Sequence, residues 1–181
     1  MAFASLPFSL SPYRRCVPVA LSGVVPPKER PMPEQPRTAG LLESSIYVDD
    51  VDRAVRFYRE VMGFTPMLET DRLHAFDVGG GGVLLVFARG ESRDDMPGPN
   101  GFIPGHDGSG PLHLAFAIAA DQRDAWRDRL QAHQIEIRSE VHWPRGGYSI
   151  YFDDPDGHVV ELATPGLWLN EEGRADVSAR S

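Results

Sequence analysis

The chain has 181 residues and a formal net charge of −8, from 18 basic and 26 acidic side chains. A chain with this net negative charge does not neutralise phosphate groups, which argues against a protein that binds nucleic acid or an anionic membrane. Hydrophobic residues make up 41% of it, enough for a packed core, and no apolar run approaches the roughly 20 residues of a membrane span. The single cysteine, Cys16, excludes an intrachain disulfide and a cysteine-based zinc site.

Residues 1–40 differ in composition from the rest of the chain. They carry five basic and two acidic side chains and eight of the 16 prolines. Because proline at this density prevents regular helix or central strand, we expect a disordered arm over 1–40. A transit peptide over 1–31, a weak secretory signal, an ordinary tail, and a true start at Met32 instead of Met1 all fit this composition. We expect a cytoplasmic protein, or an organelle-targeted one if 1–31 is a transit peptide.

The pattern changes at residue 41. Leu41–Val48 alternates apolar and polar residues, which predicts a strand. Asp50 is a plausible N-cap for a helix whose apolar residues recur at helical spacing, and Gly63 is placed to end it. Two short strands follow, at 73–78 and 83–88, linked by a turn of four glycines.

The second half of the chain repeats this order. Leu112–Ile118 alternates as a strand, and Asp121 can cap the helix that follows. Strands at 148–152 and 158–163 flank the turn Asp154–Gly157, whose proline and glycine suit a type I turn. Each half is therefore predicted to contain a strand, then a helix and then further strands.

This repeat predicts an α+β fold built from two similar modules. The modules span 41–90 and 111–165 and are joined by a glycine-rich loop, 91–110; loops of this length in compact domains are often functional. The domain then covers 41–169, and 170–181 form a polar tail. Neither module closes a core alone, so we expect the two leftover sheet faces to form a shared cup.

Three polar side chains on different predicted strands face this cup. Glu43, His113 and Glu161 each lie opposite the large aliphatic residues of their strand. Two carboxylates in a partly dry cavity repel each other, and a divalent cation removes that conflict. One imidazole with two carboxylates suits iron, manganese, nickel, cobalt or zinc. His158 falls on the helix side of its strand and is not a ligand candidate.

Other residues are candidates for binding a substrate. Tyr47, Phe87 and Trp143 could supply an apolar lining. His74 could line the cup or pack in the core, and Arg145 could bind an anionic group or face water. His106, in the connecting loop, could close over a ligand or be solvated.

Two segments carry a resemblance to a known family: Glu43–Phe64 and Tyr151–Pro165, the second containing Asp-Pro-Asp-Gly-His-Val-Val-Glu. The chain resembles the vicinal oxygen chelate superfamily, the fold of glyoxalases, bleomycin-resistance proteins and extradiol dioxygenases, from about Leu41 to Leu169. The resemblance implies paired βαβββ modules that form a curved mixed sheet with a divalent metal in its cup. It also favours a homodimer.

The resemblance places family ligands at Glu43, Leu85, His113 and Glu161. Leu85 cannot coordinate a metal, so the four-ligand glyoxalase I pattern is incomplete here. Extradiol dioxygenases and fosfomycin-resistance transferases use three ligands, at positions matching the other three residues; their first ligand is typically histidine, where this chain has Glu43.

We therefore expect a metal-dependent enzyme that acts on a small substrate, which chelates the metal through two neighbouring oxygens. Lyase or isomerase chemistry, ring-cleaving oxygenation and thiol transfer all remain open. The alternatives are a metal-free small-molecule binding protein, like the bleomycin-resistance members, and a degenerate module that only contacts a partner.

Overall fold

The structure, a computed structural model, describes residues 35–169. Residues 38–169 lie within one compact unit. The described part of the predicted arm, 35–40, is exposed and contains no helix or strand, while 1–34 and the predicted tail 170–181 lie outside the described residues. Within 35–169, no helix is long and apolar enough to cross a membrane.

The first module begins as the alternation predicts. Asp50 caps the helix, since its carboxylate accepts a hydrogen bond from the backbone N–H of Arg53 at 2.9 Å. Gly63 follows the helix with φ of +73°, a conformation that glycine adopts at little cost. The elements are β1 (Glu43–Val48), α1 (Val51–Arg56), a π-helical turn (Phe57–Val61), β2 (Thr65–Glu69), β3 (Leu73–Asp77) and β4 (Val83–Ala88).

These strands form one sheet in the order β1-β4-β3-β2, with β1 parallel to β4 and the other pairs antiparallel. The pattern of the sequence did not predict β2. Its second residue is Pro66, the pairing with β3 shifts register beyond it, and most of its residues are exposed. No regular alternation of apolar and polar residues therefore marks this edge strand.

The segment between the modules is not wholly irregular. It was predicted as a loop over 91–110, but it contains a short antiparallel hairpin, formed by β5 (Met96–Gly98) and β6 (Gly101–Ile103). Strands of three residues are too short to show a period of two, which explains why the pattern missed them.

The second module repeats the first. Its strands form a sheet in the order β7-β10-β9-β8, again with one parallel pair, β7 with β10. The helix begins two residues after Asp121, which lies inside a preceding 3₁₀ turn and makes no capping hydrogen bond. The elements are β7 (His113–Ala117), the 3₁₀ turn (Ala120–Gln122), α2 (Arg123–Ala132), β8 (Ile137–His142), β9 (Tyr148–Asp153) and β10 (Val159–Ala163). The predicted α+β fold with two βαβββ modules is confirmed.

One hydrophobic core joins both modules. The rings of Phe57 and Phe152 lie 6.4 Å apart across it, and the buried Tyr58 hydroxyl donates to the Asp154 carboxylate at 2.8 Å. Burial, and secondly the nearby Asp154, raise the pKa of Tyr58 well above its ordinary value, so this phenol keeps its proton and acts as the donor. The core-facing strand residues come from both sheets: Ile46, Val48, Phe76, Leu84, Val86, Ile150, Phe152, Val160 and Leu162.

His158 ties the two modules together. It is 1% exposed, its Nδ1 accepts from the backbone N–H of Leu112 at 3.0 Å, and its Nε2 lies 3.2 Å from the carbonyl oxygen of Tyr47. A backbone N–H can only donate and a carbonyl can only accept, so these contacts match a neutral imidazole with its proton on Nε2. His158 thus has a structural role, in keeping with its exclusion as a ligand.

Replacing His158 by leucine is expected to destabilise the fold. The substitution keeps the buried volume but leaves the backbone N–H of Leu112 without a partner, at a cost of about 1–3 kcal/mol in the free energy of unfolding. The carbonyl oxygen of Tyr47 keeps its second hydrogen bond, from Arg89. Urea denaturation of wild-type protein and His158→Leu measures the change. The matched control is His133→Leu at the exposed end of α2, where we expect a change within about 0.5 kcal/mol. Equal stability of the two variants would contradict this role.

Candidate metal and substrate site

Each sheet has a second face, turned away from the shared core. In the first sheet, the register pairs Tyr47 of β1 with Phe87 of β4 on that face. In the second, it pairs Glu161 of β10 with Ala115 of β7. His113 lies two residues before Ala115, on the same face. Tyr47, Phe87, His113 and Glu161 therefore lie on the faces predicted to form the cup.

An imidazole and a carboxylate meet on the second sheet. His113 Nε2 lies 3.2 Å from Glu161 Oε2. Glu161 is only 5% exposed, whereas the His113 side chain is 54% exposed. A carboxylate is rarely buried without a partner, because its desolvation is costly. This pair therefore combines a buried anion with an imidazole that remains open to a ligand.

The other carboxylate oxygen of Glu161 is held by two hydroxyls. Ser149 Oγ donates to Oε1 at 2.5 Å, and the Tyr151 hydroxyl donates to the same atom at 2.8 Å. Burial, followed by the hydrogen bond to Glu161, raises the pKa of Tyr151, so its phenol remains a donor at neutral pH. The Trp143 indole N–H in turn donates to Ser149 Oγ at 2.8 Å. This network fixes the carboxylate with Oε2 toward His113.

The donor set fits a divalent metal. Bonds from zinc to imidazole nitrogen and carboxylate oxygen are about 2.0–2.2 Å, so two neighbouring ligands of one ion lie about 3 Å apart. The observed separation of 3.2 Å agrees with this. Hydrogen bonds to the non-coordinating oxygen of a ligating carboxylate are typical of metal sites, because they orient the ligand.

Glu43 does not join this pair within one chain. It is the first residue of β1 and is exposed. Among residues 35–169, no three histidine, cysteine, aspartate or glutamate side chains are grouped closely enough to hold a metal ion. The structure thus brings together two of the three predicted ligands, His113 and Glu161, and leaves the third on the other module.

Aromatic side chains cluster on the open face of the first sheet. The rings of Tyr47 and Phe87 stack at 5.9 Å, and the Tyr47 hydroxyl lies 2.7 Å from His106 Nδ1. Phe87 is 4% exposed, so it supports the other two rings instead of forming the surface. The three rings therefore form a layer, with Phe87 beneath and Tyr47 and His106 above.

His74 and Arg145, the other two candidate substrate residues, do not belong to this aromatic cluster. His74 pairs with the buried Val86, which places it on the helix side of the first sheet, opposite the face of Tyr47. The structure thus gives no support to His74 as a cup residue and favours packing, since its Nδ1 is buried without a hydrogen bond in the described part of the chain. Arg145 is exposed in the turn between β8 and β9, where it makes no ion pair with the residues described.

Comparison with known proteins decides the family. The family model described as the Glyoxalase/Bleomycin resistance protein/Dioxygenase superfamily matches residues 39–162. The chain belongs to this superfamily. The match begins ahead of β1, spans the segment between the modules and ends within β10.

Several known proteins are similar to this chain. A metallothiol transferase FosB from Staphylococcus saprophyticus is 29% identical over 119 residues, which are 65% of this chain and 71% of the relative. The phenazine antibiotic resistance protein EhpR from Enterobacter agglomerans is 26% identical over 117 residues, 65% of this chain and 85% of the relative. The crystal structure of lactoylglutathione lyase from Agrobacterium tumefaciens superposes with a TM-score of 0.65 at 34% identity, covering 72% of this chain and 97% of that structure.

Sequence reasoning about this superfamily member missed Ser149 and Tyr151. A signal for both was present. The turn Asp154–Gly157 makes Asp153 face Val159, so counting back along the hairpin sets Tyr151 opposite Glu161. Ser149 then falls two residues further along the same face. Cross-strand neighbours of a buried carboxylate are the first places to look for its hydrogen-bond donors.

Proposed function

We propose that this protein is a divalent-metal-dependent enzyme acting on a small substrate that chelates the metal through two neighbouring oxygens. The observation that carries the proposal is the buried Glu161 carboxylate, with one oxygen fixed by two hydroxyls and the other 3.2 Å from His113 Nε2. A carboxylate oriented this closely, beside an open imidazole, is the geometry that a metal ligand requires.

The relatives support a metal-dependent reaction. FosB is named a metallothiol transferase and shares 29% identity with this chain, and the Agrobacterium structure, at 34% identity, is that of a lyase. The two names describe different reactions, so they favour the metal and the small-molecule substrate without choosing one reaction. Iron, manganese, nickel, cobalt and zinc all suit the donor set.

The third ligand, Glu43, is proposed to come from a second copy of the chain. In one chain His113 and Glu161 have no third candidate ligand beside them within residues 35–169. Glu43 is exposed on the other module, where a second chain could meet it. A homodimer in which the first module of one copy faces the second module of its partner would complete two equivalent sites.

The chain's own side chains then have separate tasks. His113 and Glu161 would hold the cation, and the hydroxyls of Ser149 and Tyr151 orient Glu161. When bound, a divalent cation supplies Lewis-acid stabilisation of negative charge that develops on a substrate oxygen. Three protein ligands leave room for both substrate oxygens, and Tyr47 lines the face along which the rest of the substrate would lie.

Elemental analysis tests the proposal directly. Protein purified without chelator and supplemented with each of the five metals is expected to retain about one ion per chain, since three protein ligands give durable binding. Oxygen consumption by an iron-loaded sample would indicate dioxygenase chemistry. Retention of well under one ion per chain with every metal would overturn the proposal.

A metal-free binding protein is the second candidate. One observation favours it: the close pair of His113 and Glu161 already compensates the buried carboxylate without a cation. EhpR, named for resistance to phenazine antibiotics, is similar over 65% of this chain. Titration of metal-stripped protein with phenazine-1-carboxylate tests this candidate. Binding that is equal in wild-type protein and in His113→Ala would favour it over the enzyme.

A further inference from the structure

The segment between the modules sets one imidazole above the open face of the first sheet. The ring of His106 meets Phe87 edge-on, with centroids 4.8 Å apart, and lies 5.8 Å from the ring of Tyr47. Its Nδ1 is 2.7 Å from the Tyr47 hydroxyl. Within residues 35–169 the other ring nitrogen, Nε2, makes no hydrogen bond, so it is the atom of this ring left for a ligand.

The backbone on both sides of His106 is held tightly. Ser92, 3% exposed, accepts from the His106 N–H through its carbonyl and donates to the His106 carbonyl through its hydroxyl, both at 2.7 Å. A Cβ on Gly105 would lie 1.9 Å from the carbonyl oxygen of Arg93, and one on Gly108 would lie 2.4 Å from the Tyr47 ring. Neither position has room for a side chain, so the loop approaches the sheet as closely as its backbone permits.

The contact with Tyr47 also bears on which ring nitrogen carries a proton. Burial, with the nearby Asp107 as a second cause, raises the pKa of Tyr47, so its phenol is protonated at neutral pH. A phenol that donates to Nδ1 leaves the proton of a neutral imidazole on Nε2. His106 would then present an N–H donor to the open side of the cluster.

The position of this donor relative to the metal ligands determines what it could contact. Tyr47 and Glu43 lie four residues apart on the same face of β1, which separates their Cα atoms by about 13 Å. A substrate chelated to a metal at the Glu43 end would reach His106 only with its far end. The surroundings of that end are the rings of Tyr47 and His106, which suit a flat, conjugated group.

We propose that His106 is a substrate-contacting residue, positioned by Tyr47, whose Nε2–H binds a hydrogen-bond acceptor at the end of the substrate away from the metal. The inference rests on the proposed function, because it needs a substrate anchored by the metal. It narrows the substrate class to a vicinal-oxygen chelator joined to an aromatic or conjugated group that ends in a carbonyl-type acceptor.

Hydroxamates allow the two ends of the proposed substrate to be tested separately: the chelating head, which binds the metal, and the tail, which reaches His106. Acetohydroxamate carries only the chelating head, while 4-acetylbenzohydroxamate and 4-isopropylbenzohydroxamate add tails of the same shape, with and without an acceptor. Calorimetric titration of cobalt-loaded wild-type protein is expected to show about tenfold tighter binding of the acetyl compound than of the isopropyl compound, the size of one net hydrogen bond. The visible cobalt bands report binding of the head independently.

Variants test whether His106 causes this preference. In His106→Phe, which keeps an aromatic ring, the acetyl and isopropyl compounds are expected to bind within about twofold of each other, while acetohydroxamate binds as in wild type. The matched control, His133→Phe at the exposed end of α2, should retain the full preference. A wild-type protein without the preference, or a preference that survives in His106→Phe, overturns the inference.

Failure of the proposed function gives a different result. If acetohydroxamate leaves the cobalt bands of wild-type protein unchanged, the metal-chelate proposal fails and this inference fails with it. If acetohydroxamate binds but the acetyl compound has no advantage, only the role of His106 fails.

Tyr47→Phe tests the positioning role without removing the imidazole. Nitrogen-15 NMR of histidine-labelled wild-type protein is expected to show the His106 ring in the Nε2–H form. Tyr47→Phe should shift this ring toward the mixed population of a free histidine and reduce the acetyl preference. An unchanged His106 spectrum in Tyr47→Phe would show that the hydroxyl does not set the tautomer and would overturn the positioning role.

Discussion

Replacing Glu161 by glutamine is expected to weaken metal binding by at least about a hundredfold, because the substitution removes a charged ligand while preserving the shape of the side chain. The two hydroxyls that donate to Oε1 would hold the amide oxygen of the new side chain in the same place. The amide NH₂ would then point toward His113 Nε2, where a cation needs an oxygen lone pair. The hydrogen-bond network itself therefore turns the amide the wrong way.

Removing the hydroxyls that donate to Glu161 tests the same hydrogen-bond network through the donors instead of the acceptor. Ser149→Ala and Tyr151→Phe each leave Glu161 as an anion but remove one donor, and each should lower metal affinity by about tenfold, the smaller end of the effects found for groups that orient a ligand. Competition with a metal-responsive chelator dye measures all three variants. Glu136→Gln, an exposed glutamate ahead of β8, is the matched control and should bind as wild type.

These variants separate a metal site from a plain ion pair. If Glu161 only pairs with His113, the substitutions change stability but leave metal content at the level of the control. Weaker binding in Ser149→Ala and Tyr151→Phe, with folding intact by circular dichroism, is expected only if the carboxylate must be held in one orientation. Equal metal affinity in wild type and Glu161→Gln would contradict the assignment of Glu161 as a ligand.

The parts of the fold that the sequence predicts are those set by local chemistry. The Asp50 cap, the Gly63 helix end and the Asp154–Gly157 turn each depend on contacts within a few residues. The edge strands β2 and β8 escaped prediction because their side chains are mostly exposed and show no clean alternation. Such strands form because a neighbouring strand offers backbone hydrogen bonds. The alternation of apolar and polar residues along one strand contains no information about this pairing.

In the candidate site, too, the sequence predicts what depends on local pattern and misses what depends on neighbouring elements. The alternation within β10 predicts that Glu161 faces away from its aliphatic neighbours, and the structure places its carboxylate beside His113. His74 shows the limit of this reasoning, since its face depends on the register between β3 and β4 and not on its own strand alone. The neighbours of Glu43 depend on how modules meet in space, which no local pattern specifies.

A mixture of two variants that each lack one proposed metal ligand is expected to recover metal binding if the site is shared between two copies of the chain. Glu43→Gln and Glu161→Gln each remove one proposed ligand, so each homodimer has two defective sites. In a mixed dimer, the Glu43 of one chain would face the intact His113 and Glu161 of the other, which gives one complete site and one site with both defects. Unfolding and refolding the two variants together should therefore restore about one quarter of the wild-type metal content.

The recovered fraction distinguishes the possible arrangements of the cup. If all three ligands belonged to one chain, every chain in the mixture would still carry a defect, and refolding together would recover nothing. Each variant refolded alone supplies the baseline, and a mixture of Glu161→Gln with His113→Ala is the matched control, because both defects lie in the second module and no pairing of these chains repairs a site. Recovery in the first mixture without recovery in the control would follow only if Glu43 crosses to the partner. In the dimer, the second module of the partner would then cover Glu43 and the first module of the partner would cover the His113 ring, both of which are exposed in the single chain.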